Sequence, residues 1–199
     1  MNTTNNNRGN LLFPIFIKPD QVKILIVGGG NIGLEKITFL LKSSPNANVT
    51  LVADKILPAI HDLSTNYLNV KLIERKLINE DLLKKDLLIA ATNNRALNRQ
   101  IREKAKKLKI LTNVADTPDL CDFYMGSIIT KGDLKIAVST NGKSPTFAKR
   151  FRELLEGILP DEIPEILLNL NKIRSKLKGD FNYKVKKLNE ITSHLVDVN

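Results

Sequence analysis

The chain has 199 residues, 42% hydrophobic and 26% charged, with a formal net charge of +10. That length suits one domain plus a small appendage, with a core large enough to fold without staples. One cysteine (Cys121) and two histidines (His61, His194) exclude an internal disulfide and a Cys- or His-rich metal site, and no apolar run nears the ~20 residues that span a bilayer.

Residues 1–10 (MNTTNNNRGN) lack apolar periodicity and read as disordered. They do not resemble a secretory signal, and a reducing cytoplasm is expected. Leu11–Ile17 is apolar and is expected to lie over the sheet that follows. Val22–Val27 reads as a strand buried on both faces. A glycine turn follows, then a helix with Leu34, Ile37, Leu40 and Leu41 on one face. Further strands are expected at Val49–Ala53, Val70–Ile73, Asp86–Ala91 and Ile110–Val114. Helical segments fill the gaps around Asp54–Tyr67, Asn79–Lys85 and Leu97–Leu108. Strand–helix alternation of this kind specifies an α/β fold with a doubly wound parallel sheet. After Asp116 the pattern changes. Ser127–Thr130 and Leu134–Ser139 flank Lys131-Gly132-Asp133 as a hairpin. Three helical faces follow: Ala148 to Ile158, ended by Pro160; Ile163 to Leu177, closed by Gly179; and Phe181 to Leu195.

The positive charge admits three readings: a nucleic-acid partner, a solvated lysine-rich surface, or an acidic small substrate steered by the field. Residues 146–199 carry ten basic and eight acidic side chains, so the charge is not striped. The dense patch, Arg95–Lys109, has seven basic residues and one acid, with Leu97, Ile101, Ala105 and Leu108 at helical spacing. Its basic residues therefore read as the wet face of a helix. Only 5% of residues are aromatic, and none is Trp, so stacking platforms are scarce and no nucleic-acid partner is expected. No membrane partner is expected either.

Gly28, Gly30 and Gly33 make G-x-G-x-x-G between a buried strand and a helix, the context a dinucleotide fingerprint requires. Gly28 permits the turn, Gly30 lets a pyrophosphate approach the backbone, and Gly33 allows close helix packing. Asp54, 21 residues after Gly33, ends the second strand, where a carboxylate receives the ribose hydroxyls of NAD. Thr92 and Asn93 follow the fourth strand and offer hydrogen bonds to a cofactor; both are equally good helix caps. Asn113 to Asp116 ends the fifth strand at the mouth of the crevice. Asn113 is counted with the cofactor contacts. Asp116 is placed to take the proton that a carbon must lose after giving up hydride, or else shapes the turn before Pro118. Ser139, Thr140, Asn141, Lys143 and Ser144 form a polar loop before a helix start at Pro145, a combination suited to carboxylates and to capping alike.

In order, Leu12-Phe13-Pro14-Ile15-Phe16, Val27-Gly28-Gly29-Gly30, Ala90-Ala91-Thr92, Asn113-Val114-Ala115-Asp116 and Ser139–Pro145 with Phe147-Ala148-Lys149-Arg150 resemble the precorrin-2 dehydrogenase family, the N-terminal module of siroheme synthases. The resemblance covers about residues 11–159. It implies a Rossmann domain over 11–117, a small dimerisation and substrate region over 118–159, and a helical end over 160–199. It also implies NAD-dependent oxidation of precorrin-2 to sirohydrochlorin by a homodimer, with ferrous iron a further substrate in some members. Asp116 matches the family's catalytic aspartate. Asn31, Ile32, Asp54 and Lys55 match its cofactor contacts, and Thr140 stands where some members have serine. No resident metal is implied. A non-catalytic NAD(H)-sensing domain is the alternative: it would keep the glycine turn and Asp54 without needing Asp116 or the 139–145 loop.

Overall fold

The computed structural model describes residues 10–193. The expected disorder of residues 1–9, and His194 and Leu195, lie outside them. The described chain forms two units.

The first unit comprises the described residues up to Gly126 together with Ser139–Pro145. Its five strands are β1 (Lys23–Val27), β2 (Asn48–Ala53), β3 (Val70–Glu74), β4 (Leu87–Ala90) and β5 (Leu111–Val114). All pair in parallel, in the order β3-β2-β1-β4-β5. Side chains alternate across a strand, and β1 is apolar on both faces. Ile24 and Ile26 pack with Ile37 and Leu41 of α1 (Asn31–Ser43) and Ile60 of α2 (Pro58–Ser64). Leu25 and Val27 pack on the other face with Ile101 and Ala105 of α3 (Arg95–Lys107). Burying each such side chain contributes about 1.5–3 kcal/mol, so β1 is the spine of both cores.

The structure departs from expectation in its apolar N-terminal segment, its shorter helices and the face of α3. Leu11–Ile17 does not lie over the sheet: Phe13 is 85% exposed and Phe16 69%. Both sheet faces are already occupied by helices. Second, α2 is shorter than the expected segment. Pro58 sits in its first turn, and Leu57 before it is extended, as a residue preceding proline must be. Residues 79–82 form only a 3-10 turn. Third, the buried face of α3 keeps Ile101 and Ala105 but not the leucines expected beside them. Leu97 and Leu108 remain partly exposed, and Asn98 takes the buried position beside Ile101 and Ala105.

The second unit contains β6 (Ser127–Lys131), β7 (Leu134–Val138), α4 (Pro145–Ile158), α5 (Ile163–Lys176) and α6 (Phe181–Thr192). β6 and β7 form the expected antiparallel hairpin, with Lys131 opposite Leu134. Gly132, at φ 57°, opens the two-residue turn, where a positive φ suits the twist of the strands. α4 begins at Pro145, as expected. α6 is capped by Asp180, whose Oδ1 accepts from the Tyr183 amide at 2.8 Å.

Candidate active site

Parallel pairing decides where the candidate residues gather. Val27 is in register with Val52 and with Ala90, and Ala90 with Val114. The carboxyl ends of four strands therefore lie along one edge. The strand order reverses between β1 and β4, and such a reversal opens a crevice at that edge. Gly28–Gly33, Asp54, Thr92 and Asp116 all follow directly from these ends.

The glycine turn is built for close approach. Gly28 has φ 123°, and a Cβ on it would collide with the Ala91 carbonyl. A Cβ on Gly33 would collide with the Gly28 carbonyl oxygen, so α1 lies directly against the turn. Gly30 differs: a Cβ there would meet nothing within 4 Å. It is the N-cap of α1, with no capping side chain and no acid in the first turn. The amides of Asn31, Ile32 and Gly33 precede the first intrahelical bond, Leu34 N to Gly30 O at 2.9 Å. An open, uncapped helix start with a glycine at its mouth fits a pyrophosphate. Asn31 is exposed there and Ile32 half-buried.

Gly29, which the fingerprint leaves as any residue, is also required. A Cβ on it would collide with the Lys55 carbonyl oxygen, and its own oxygen accepts from Leu57 N at 2.9 Å. It docks the glycine turn onto the loop carrying Asp54 and Lys55, both exposed. Three consecutive glycines were the available signal.

Thr92 and Asn113 turn inward. The Thr92 hydroxyl donates to Asn98 Oδ1 at 2.6 Å, and the Asn98 amide donates back to Thr92 O at 2.9 Å. Asn98 is 2% exposed, and this pairing explains its buried place on α3. Asn94 caps α3 through Leu97 N at 3.0 Å, while Asn93 is exposed. Asn113 Nδ2 donates to Phe123 O at 2.9 Å. Cys121, beside it, accepts from Val114 N at 3.2 Å and lies 3.3 Å from Val114 O. Burial pushes its thiol pKa up, so it stays a neutral S–H able to donate there.

Asp116 is exposed and has φ 55°, the left-handed region that non-glycine residues rarely occupy. The Ser139–Pro145 loop groups with the sheet unit, although it runs between elements of the other. It is a tight turn. Asn141 and Gly142 both have positive φ, and Asn141 N donates to Ser139 Oγ at 3.2 Å. Thr140 Oγ1 accepts from Ser144 N and lies equally close, at 3.1 Å, to Ser144 O. Thr140 thus closes the loop, while Lys143 is exposed on it.

A family model described as "Putative NAD(P)-binding" matches residues 15–127. The chain belongs to this NAD(P)-binding family. A second model, described as "Sirohaem biosynthesis protein central", matches residues 131–158. Siroheme synthase of Vesicomyosocius okutanii is 37% identical over 169 residues, spanning 85% of this chain and 36% of that protein. Siroheme synthase of Pseudoalteromonas translucida is 36% identical over 170 residues, spanning 85% and 35%. The chain spans about a third of the length of these curated relatives. A solved structure of SirC, precorrin-2 dehydrogenase, aligns with a TM-score of 0.73 over 90% of this chain and 89% of that one, at 24% identity. The fold is shared. The family resemblance carried by the sequence motifs is the one these matches give.

Proposed function

We propose that the chain is an NAD-dependent dehydrogenase that oxidises precorrin-2 to sirohydrochlorin. The observation that carries this reading is the shared carboxyl edge. An open glycine turn, the exposed Asp54 and the exposed Asp116 follow the carboxyl ends of β1, β2 and β5 of one parallel sheet. The siroheme synthase relatives supply the substrate class.

Gly30 and the amides of residues 31–33 would hold the pyrophosphate, and Asp54 the ribose hydroxyls, which favours NAD over NADP. Bound NAD supplies the hydride acceptor. As hydride leaves one substrate carbon, Asp116 takes the proton lost from its neighbour, and a carbon–carbon double bond remains. Lys143, exposed on the turn that Thr140 closes, would offer its charge to a polycarboxylate substrate. Ferrous iron belongs to the same reading as a second substrate, since metal entering a tetrapyrrole displaces two N–H protons and needs a base. The reading includes a cytoplasmic location; among the described residues no helix is long and apolar enough to cross a membrane.

The reading also includes a homodimer built through residues 118–159. A lone two-stranded hairpin is marginal in water. On α4, Phe147, Phe151, Leu154 and Ile158 keep helical spacing and are 59%, 39%, 56% and 63% exposed. An apolar stripe of that kind marks an interaction surface.

The test is anaerobic incubation with precorrin-2 and NAD, following NADH formation and the product spectrum. Asp116→Asn keeps shape and removes basicity. It is expected to slow the reaction about 10²–10⁴-fold, roughly 3–5 kcal/mol, with NAD affinity unchanged. NAD binding without any turnover of precorrin-2 would favour the sensing domain instead.

A further inference from the structure

We propose that Arg102 is a positioning residue for Asp116: by clamping residues 117–122 to the free edge of β5, it holds the left-handed backbone that presents the carboxylate. This rests on the reading of Asp116 as the base.

β5 is an edge strand, so one side of its backbone has no strand partner. Those groups are nevertheless satisfied. Thr112 N donates to Asp122 Oδ2 at 2.9 Å, and Thr112 O accepts from Asp122 N at 2.7 Å. Val114 N donates to Cys121 Sγ, and the Cys121 thiol faces Val114 O. Residues 117–122 are thus a strap laid along the edge, where unpaired backbone would otherwise stand open. Arg102 reaches this strap from α3. Its Nε donates to Leu120 O at 2.9 Å, and a terminal nitrogen donates to Asp122 Oδ1 at 2.7 Å. The side chain is only 12% exposed. Asp122 therefore spends one carboxylate oxygen on the guanidinium and the other on β5. A charged fork used at both ends fixes direction as well as distance.

Asp116 sits in the loop this strap closes. Ala115 N donates to Ala90 O at 2.9 Å on one side, and Thr117 N to Val114 O at 3.3 Å on the other. A left-handed non-glycine residue persists only where its surroundings over-determine it. The strap supplies that constraint. Without the clamp, residue 116 relaxes to negative φ and its carboxylate leaves the geometry in which it meets substrate.

The experiment is a double-mutant cycle on the full chain with precorrin-2 and NAD, using Arg102→Met, Arg102→Lys, Asp116→Asn and the Arg102→Met/Asp116→Asn pair. Arg102→Met is expected to lower kcat about tenfold or more, leaving NAD affinity within about twofold, with Arg102→Lys intermediate. In the pair, Arg102→Met should add no further loss, because its effect passes through Asp116. A wild-type kcat in Arg102→Met, or a loss that simply adds to that of Asp116→Asn, overturns the proposal. A wild-type rate in Asp116→Asn overturns instead the reading on which the proposal stands. If Arg102→Met does not fold, Asp122→Asn keeps an acceptor for Thr112 N, weakens the bond to Arg102 and runs the same cycle with the same expectations.

Discussion

Replacing Gly30 by alanine separates cofactor binding from folding. Gly30 has φ −86° and ψ −164°, extended backbone open to any residue, and a Cβ there meets no atom within 4 Å. Alanine is a poorer N-cap than glycine by about 0.7 kcal/mol, but it restricts the unfolded chain by about 0.4–1 kcal/mol. These terms nearly cancel, so the melting temperature should stay within about 2 °C of wild type. The added methyl occupies the approach to the helix start, and NAD affinity should fall at least about tenfold, or 1.4 kcal/mol. Gly33→Ala is the control. It gains about 1 kcal/mol of helix propensity, but its Cβ is driven into the Gly28 carbonyl, backbone against backbone. Overpacking of that kind costs about 1–3 kcal/mol or more, so stability should drop first. Calorimetric titration with NAD and thermal melts of both variants make the assay. Wild-type NAD affinity in Gly30→Ala would refute the idea that a pyrophosphate passes over this glycine.

Asp54 at the end of β2 should make NAD bind more tightly than NADP. Tighter NADP binding by calorimetry would implicate the neighbouring Lys55 as a phosphate partner. Light scattering at micromolar concentration should report a dimer, and Phe151→Glu on the exposed face of α4 should shift it towards monomer; a monodisperse wild-type monomer would reject the dimer. The third prediction concerns pH. Arg75 holds Asp81 below the usual carboxylate range, through two bonds of 2.7 Å, with a further bond from Ile78 N. A lowered pKa stabilises the fold above the unfolded value of about 4 and loses that contribution as pH falls through the folded value. The melting-temperature gap between wild type and Asp81→Asn should therefore be constant near neutrality and narrow below about pH 4, and a gap that does not narrow would count against the ion pair.

What was legible in the sequence is what depends on local pattern. Continuous apolar runs marked the five strands to within a residue or two, and the glycine spacing with Asp54 marked the edge where the candidate site forms. What escaped is polar chemistry made by tertiary contact. Asn98 reads as a wet-face residue, and periodicity preferred Leu97. Yet the buried amide is tolerated because Thr92, on another element, satisfies its oxygen and its nitrogen. Arg102 reads as one of the solvated cations of its helix for the same reason. Its partners, Leu120 and Asp122, lie 18 and 20 residues away and reach it only because their strap is folded back onto β5. Leu11–Ile17 erred in the opposite direction. Its apolar character predicts burial without saying against what, and helices already cover both faces of the sheet in a single chain. Hydropathy reports that a surface leaves water; which surface covers it, and which buried amide or guanidinium is matched, is decided by the register of strands far apart in the chain.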